Sequence, residues 1–204
     1  MMYIRKLIPK NGYGSNCYLL SSDNDLAVVD PSVSYSDACK QAYIPSSSVK
    51  YILLTHAHFD HILEIDSWVE ATGARVCISV HDRFALADPS QNCYSLFLGT
   101  DGGYRGEVHP LEDGDLLPFG EDYLSAIWLP GHTPGCLAYK CGDDMLVGDT
   151  VFAFGYGRYD LPGGDYDSLK GSLKKIFSYP DCVRLHPGHG DSSTVGAVKK
   201  NFNL

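Results

Sequence analysis

Residues 55–61, with the sequence THAHFDH, place three histidines and an aspartate directly after the apolar run YILL. In an extended or turning segment alternate side chains point the same way, so His56 and His58 converge on one point, while Asp60 and His61 face a neighbouring one. Four such polar groups buried without partners would be costly. Neutral imidazoles and a carboxylate are good ligands for a divalent cation, so this segment predicts a metal site.

Three later segments carry further groups of the same kind. His132 lies in the turn-rich LPGHTPG, Asp149 ends the apolar run MLVGD, and His189 is flanked by glycines in HPGHG. Each alone is a weak signal, because a strand-end aspartate commonly forms a turn. Functional groups gather where strands end and loops begin. Four strand ends with ligand-type residues in one chain therefore favour a single assembled site.

These motifs follow one another in the order typical of one family. H-x-H-x-D-H, Gly-His-Thr-x-Gly, Gly-Asp-Thr and Pro-Gly-His-Gly, together with the early strand end VVDP at Asp30, resemble the metallo-β-lactamase superfamily over nearly the whole chain. The resemblance implies an α+β fold, a four-layer αββα sandwich with a dinuclear metal site on one edge. It also implies a set of metal ligands, which are His56, His58 and His132 for one metal, Asp60, His61 and His189 for the second, and Asp149 as the bridge.

The implied chemistry is hydrolysis by two divalent metal ions. Two cations close together lower the pKa of a bridging water toward ~7 and give hydroxide at neutral pH. The resemblance implies that this hydroxide attacks an acyl carbon and that Asp60 orients it or accepts its proton, so Asp60 and Asp149 are the expected catalytic carboxylates. Zinc is the expected metal, with iron or manganese as alternatives, because histidine and carboxylate ligands suit all three.

The stretch GDTVFAFGYGRYDLPGGDYDSLKGSLKKIF resembles the compact glyoxalase II-like, or hydroxyacylglutathione hydrolase-like, subgroup. The resemblance implies a small-molecule acyl thioester as substrate, S-lactoylglutathione in the type case, contacted by Arg158 and Tyr159. Asp160 stands where the full-length enzymes have a glutathione-contacting tyrosine. The chain ends soon after His189, so the C-terminal helical domain with further glutathione contacts is not expected.

Other functions stay open on the sequence. Persulfide dioxygenases share this ligand set but use a single iron and oxygen, and another acyl substrate such as a lactone would need no different ligands. Flavodiiron proteins carry glutamate where this chain has His58, which argues against that class. Glu64 replaces a glycine of the first motif and is interpreted as a first-turn helix acid, with a carboxylate facing the cleft as the alternative. His186 is expected to be a packed, hydrogen-bonded neighbour of the site.

Composition narrows the class of protein. The 204 residues, 44% hydrophobic and 20% charged, predict one globular domain over residues 1–204. A net charge of −9 argues against nucleic-acid binding. Neither a membrane-spanning run nor a secretory signal is expected. Seven dispersed cysteines without a C-x-x-C pair suit a cytoplasmic protein, and the oligomeric state stays open.

The elements that must position these groups are short strands and helices. MYIRKLI, SNCYLLSS and LAVVDP predict an antiparallel meander, and VKYILLT, ARVCISV, YLSAIWLP, CLAYKC, DMLVGD and PDCVRLHPG predict further strands. Helices are predicted over DACKQAYI, from the histidine cluster to Gly73, and over YDSLKGSLKKIF, where Asp167 or Ser168 is the expected cap. Residues 88–106 are predicted as a long loop. Strands followed by a helix, twice over, predict two packed sheets with helices outside.

Overall fold

The first half of the chain forms one mixed, six-stranded sheet. The structure is a computed structural model and describes residues 2–10 and 12–202. The first three strands pair antiparallel, which confirms the predicted meander, and the next three are added in parallel. In order across the sheet, the strands are β1 (Tyr3–Leu7), β2 (Cys17–Ser22), β3 (Asp25–Val29), β4 (Val49–Leu53), β5 (Arg75–Ser79) and β6 (His109–Leu111).

The second half forms another six-stranded sheet and a small hairpin. The remaining strands are β7 (Leu116–Phe119), β8 (Asp122–Trp128), β9 (Leu137–Cys141), β10 (Asp144–Gly148), β11 (Val151–Phe152), β12 (Gly155–Tyr156), β13 (Arg184–Pro187) and β14 (Ser193–Thr194). The sheet has the order β14-β13-β10-β9-β8-β7, and β11 pairs with β12. Only the β10–β13 pair is parallel among the described pairs of this sheet.

Helices cover the outer faces of both sheets. They are α1 (Tyr35–Gln41), α2 (Phe59–Ile62), α3 (Ile65–Thr72), α4 (Tyr94–Leu98), α5 (Tyr166–Phe177) and α6 (Val195–Lys199), with short 3-10 helices at Ser46–Ser48 and Ala85–Ala87. Within the described ranges, none of these helices combines the length and the apolar character needed to cross a membrane.

Three apolar clusters define four layers. Side chains alternate along each strand, so on β2 Leu19 packs toward the helices and Leu20 toward the other sheet. The outer cluster of the first sheet includes Trp68 of α3, and that of the second sheet includes Leu173 of α5. The central cluster is formed by strands of both sheets. The predicted α+β, αββα sandwich is confirmed.

Local sequence explains most helix boundaries, and three details differ from the prediction. Gly73 ends α3 in the left-handed conformation with φ 64°, as its position predicts. The predicted caps of α5 were wrong: extended Asp165 turns its carboxylate back to accept from the Ser168 amide at 2.8 Å. The helix after the histidine cluster is split into α2 and α3. Residues 88–106 are not all loop, because α4 forms between left-handed residues at Cys93 and Gly99, and a five-residue helix has no sequence periodicity to reveal it.

Candidate metal centre

All seven predicted ligands lie together in loops that follow strands of both sheets. The loop and short helix after β4 carry four of them, and single ligands follow β8, β10 and β13. Six are buried or nearly so, whereas the His189 side chain is 43% exposed. Their ligand atoms form three overlapping groups, and within each group all the ligand atoms lie within 4.8 Å of one another. The groups are His56 with His58 and His132, His56 with His61 and Asp149, and Asp60 with His61 and His189.

The first predicted set is a triangle of imidazole nitrogens. His58 Nδ1 lies 3.1 Å from His56 Nε2 and 2.9 Å from His132 Nε2. Ligand nitrogens placed tetrahedrally around zinc at 2.0–2.1 Å are about 3.3 Å apart. The three nitrogens therefore have nearly the spacing that one tetrahedral cation requires.

The hydrogen bonds of this set leave lone pairs facing one another. His132 Nδ1 lies 2.6 Å from the carbonyl oxygen of Arg158, which can only accept, so that nitrogen carries the proton. His56 Nδ1 lies 3.1 Å from Thr55 Oγ1, whose own hydroxyl donates to Asp30 at 2.7 Å. Both Nε2 atoms are then unprotonated in the neutral rings, and His58 Nδ1, which faces both of them, has at most one proton to donate. A cation between them resolves the repulsion of these lone pairs.

The charge state of the first set fits this arrangement. Burial, followed by the neighbouring imidazoles, holds the pKa of His56 well below its ordinary value. Burial and His132 lower the pKa of His58 to about 3. Both rings are thus neutral near pH 7, which is the state in which imidazole binds a metal.

The second predicted set places a carboxylate beside two imidazoles. Asp60 Oδ2 lies 3.0 Å from His189 Nε2 and 3.7 Å from His61 Nε2. His61 Nδ1 donates to Asp30 Oδ2 at 2.9 Å, which directs the other ring nitrogen toward Asp60. Burial disfavours the charged form of His61, but Asp30, Asp60 and Asp149 outweigh it and hold its pKa well above the ordinary value. This part of the cluster therefore attracts positive charge.

Asp149 lies between the two sets. Its Oδ1 is 3.5 Å from His61 Nε2, and its Oδ2 is 3.7 Å from His132 Nε2 and 3.5 Å from His189 Nε2. Burial alone would raise the pKa of Asp149, but His61 and the other imidazoles hold it well below the usual range. The side chain is therefore an ionised carboxylate whose Oδ2 lies between His132 of the first set and His189 of the second, while Oδ1 faces His61 of the second set. It reaches both sets, as a bridging ligand requires.

Unpaired buried atoms test whether these residues fit a metal. Among the described residues, His58 Nε2, His61 Nε2 and Asp149 Oδ1 are buried side-chain atoms without a hydrogen-bond partner. Unpaired buried polar groups are rare in folded proteins and call for an explanation. Cations placed within the two ligand sets would be partners for the His61 and Asp149 atoms, so the residues fit a metal centre.

Close packing of the loops explains two glycines in the motifs. A Cβ on Gly188 would lie 2.1 Å from Asp149 Oδ1 and 2.6 Å from His61 Cε1, so any side chain there would displace two ligands. Gly148 has φ 52°, and a Cβ there would lie 2.5 Å from Thr55 Oγ1. Glycine precedes each of these strand-end ligands because the loops leave no room for a side chain.

Two buried carboxylates support the ligands from behind. Asp30 accepts from the Thr55 amide at 2.8 Å, in addition to its bonds to the Thr55 hydroxyl and His61. Sequence reasoning missed Asp82, which is 1% exposed and follows β5. Its Oδ2 accepts from Thr133 Oγ1 at 2.7 Å and from the Ala57 amide at 3.3 Å. No local pattern marks Asp82, since its partners lie in two distant segments.

The His189 loop is held by its own set of bonds. Asn16 Nδ2 donates to the carbonyl oxygens of Pro187 at 2.9 Å and Gly190 at 2.8 Å. His186 lies 2.8 Å from Asp144 and 3.0 Å from Ser192. The interpretation of His186 as a hydrogen-bonded neighbour is confirmed.

The metal-type residues open onto a cavity of about 380 Å³. Arg158 lines it and pairs with Asp160, whereas Tyr159 is not among the described lining residues and instead packs against Tyr166 at 4.9 Å between ring centroids. A substrate role for Tyr159 stays a prediction. Glu64 lies at the start of α3, outside the described cavity lining, and burial and then Asp37 raise its pKa.

Known proteins are similar to this chain in sequence and in architecture. The chain is 31% identical over 191 residues to the probable metallo-hydrolase YqgX of Bacillus subtilis (92% of this chain, 90% of the relative). It is 26% identical over 201 residues to the hydroxyacylglutathione hydrolase GloC of Haemophilus influenzae (96% and 95%).

Solved structures agree with the sequence relatives. The BLEG-1 B3 metallo-beta-lactamase superposes with a TM-score of 0.86 at 29% identity, covering 97% of both chains. TTHA1623 in a di-iron-bound form superposes with a TM-score of 0.82 at 32% identity, covering 96% of this chain and 98% of the other. The sequence profile of the metallo-beta-lactamase superfamily matches residues 11–189. With the metal-type residues gathered as that fold requires, the chain belongs to the metallo-β-lactamase superfamily.

Proposed function

We propose that this protein is a metal-dependent hydrolase of small-molecule acyl thioesters and that it holds two divalent cations. The observation that carries the proposal is the position of Asp149, whose carboxylate oxygens lie within 3.7 Å of imidazoles of both predicted ligand sets. A single cation would use only one of these sets. Zinc is the expected metal, and the di-iron form of the similar TTHA1623 makes iron the first alternative.

The residues divide the work of hydrolysis. When bound, the two cations supply Lewis acidity and a nucleophile derived from water at neutral pH. Burial opposes ionisation of Asp60, but His61 and His189 lower its pKa, so its carboxylate is ionised in the cavity. Burial and the nearby Asp60 raise the pKa of Cys93, the cysteine of the cavity wall. That thiol stays protonated, which argues against covalent catalysis by cysteine.

The same carboxylates favour a thioester over esters with poor leaving groups. Asp60 and Asp149 line the cavity and both have lowered pKa values, so neither is a general acid at neutral pH. A thiol has an ordinary pKa of about 8.5, so it leaves as a thiolate without a proton donor. Similarity to the hydroxyacylglutathione hydrolase GloC supports the same substrate class.

Elemental analysis combined with a substrate panel tests the proposal. We expect about two divalent ions per chain, with thioesters such as S-lactoylglutathione hydrolysed faster than lactones or β-lactams. Chelation should abolish turnover, and readdition of metal should restore it. Asp143→Ala, at an exposed aspartate in the turn before β10, is the control for variants of the ligand carboxylates.

Three results would redirect the proposal. Preference for a lactone or a β-lactam would keep the metal centre but change the acyl substrate. One iron per chain with sulfite formed from glutathione persulfide would indicate a dioxygenase. A protein that turns over thioesters fully after metal removal would contradict the metal-dependent mechanism.

A further inference from the structure

We propose that the cavity selects thioesters with an apolar acyl group and disfavours hydroxyacyl groups; this inference rests on the proposed thioester hydrolysis. The cavity beside the ligands is lined by aromatic and aliphatic side chains from separate parts of the chain. These are Phe59 of α2, Phe97 of α4, Phe152 of β11, Tyr156 of β12 and Leu161.

The aromatic wall is ordered by packing. Phe59 stacks on Phe97 with ring centroids 5.5 Å apart and planes inclined by 27°, and it meets Tyr94 edge-on at 5.8 Å. The Phe59 amide donates to the carbonyl oxygen of Asn92 at 2.8 Å, which fixes α2 against the start of α4. The wall therefore exists before the substrate binds, and an apolar group entering it gains burial without ordering these rings.

Phe97 lines the cavity while 48% of its surface stays exposed. An apolar substituent of the substrate would cover part of that surface. Burial of one methylene group gives at most about a fourfold gain in binding, from ~0.8 kcal/mol. Longer acyl chains should therefore be better substrates until the cavity is filled.

Away from the ligand-type residues, the described cavity lining offers few partners to a polar or anionic substituent. Arg158 is the only lysine or arginine among the described lining residues. Its Nε and Nη2 donate to the two carboxylate oxygens of Asp160, both at 2.9 Å. Such a two-pronged pair uses the geometry that would otherwise bind a substrate carboxylate. Beyond those residues, the hydroxyl of a lactoyl group would meet mainly the aromatic and aliphatic side chains of the wall.

The test is a series of thioesters on the uncharged thiol N-acetylcysteamine. Lactoyl and propionyl thioesters differ only by the hydroxyl, and butyryl and hexanoyl extend the propionyl chain. With metal-loaded protein we expect kcat/KM to be higher for propionyl than for lactoyl. It should then rise about two- to fourfold per methylene toward hexanoyl.

Phe97→Ala should reduce the ratio of hexanoyl to lactoyl kcat/KM by about tenfold, because the variant removes one wall of the cavity. Phe84→Ala is the matched control, since Phe84 is also an exposed phenylalanine (74%) but lies outside this cavity. The metal content of each variant is measured in parallel, so that a damaged metal centre is recognised by equal losses on all substrates.

The possible results distinguish a failure of the apolar selection from a failure of the proposed thioester hydrolysis. If the loaded protein hydrolyses no thioester, the proposed function fails. If it hydrolyses thioesters but prefers lactoyl to propionyl, or shows no dependence on chain length, the apolar selection is refuted while thioester hydrolysis stands. An unchanged substrate ratio in Phe97→Ala also refutes it.

Discussion

Replacing Asp82 with alanine should weaken the metal centre although Asp82 touches no metal. Its carboxylate binds the amide of Ala57, which lies between His56 and His58, and the hydroxyl of Thr133. Water cannot easily replace it, since Asp82 is 1% exposed. Each buried donor left unpaired costs about 1–3 kcal/mol. The Thr133 hydroxyl keeps a weak acceptor in Cys136 Sγ at 3.1 Å, so the Ala57 amide alone predicts a loss of about 1–3 kcal/mol in the free energy of unfolding.

The effect on metal binding follows from the same contacts. Asp82 joins the segment of the first two histidines to the segment that follows the third, in addition to the direct contact between His58 and His132. Groups that orient metal ligands from behind typically change metal affinity 10–100-fold when removed, so we expect a loss of about that size. The loss of metal affinity should be greater for Asp82→Ala than for Asp82→Asn, because asparagine keeps one acceptor oxygen.

Two measurements check this reasoning. Competition with a chromogenic chelator gives the metal affinity, and denaturant unfolding of the metal-free protein gives the stability. Asp88→Ala is the matched control, because Asp88 is an exposed carboxylate of the same segment that binds only nearby groups such as Ser90. If Asp82→Ala binds metal and unfolds as the parent protein does, the carboxylate is not a positioning group.

Asp149→Ala should lower the metal content from two ions to one and abolish turnover, measured by elemental analysis and a thioester assay; full activity would contradict the bridging role. Asp160→Asn should free Arg158 and lower the KM for thioesters of carboxylate-bearing thiols by up to about fivefold, without the same change for a neutral thiol carrier. Burial alone would raise the pKa of Asp144, but Arg184 and a neighbouring imidazole lower it. The stabilisation from its ionised form is therefore present above the unfolded pKa of about 4 and is lost as the pH falls through the lower folded value. Denaturant unfolding should show less of this acid dependence in Asp144→Asn. Chelation should lower the melting temperature, since the cations bind only the folded arrangement.

Much of the fold could be predicted because its elements follow simple periodic patterns. Short apolar runs such as SNCYLLSS indicate strands, and the helical spacing of Leu169 and Leu173 specifies a buried face. The cap of α5 could not be assigned in the same way, because aspartates occur at both 165 and 167. Backbone conformation decides between them, and it is extended at Asp165. The short helix α4 escaped prediction because five residues hold too little periodicity.

The candidate site also has parts that the sequence could predict and parts that it could not. Its candidate ligands could be identified because each follows a strand in a short segment rich in glycine or histidine, and the residue types restrict the chemistry. The supporting groups could not, since Asp82 and Asn16 act on segments far away in the sequence. Their role depends on which loops the two sheets bring together. The Arg158–Asp160 pair could have been predicted, because the two residues are only two positions apart. Its position at the cavity could not be predicted from the sequence.

The electrostatics of the cluster explain why the ligands and their supports form one unit. Burial keeps His56 and His58 of the first set neutral, whereas the carboxylates around His61 draw positive charge into the second set. Without a metal, the negative charge of the second set could be balanced only by protonation of its side chains. The nitrogen lone pairs of the first set would still face one another. Bound cations would balance the charge of the second set and accept the lone pairs of the first. The rigid contacts from Asp30 and Asp82 then serve to hold this unfavourable arrangement in place until metal binds, which is why their removal should be felt first in metal affinity.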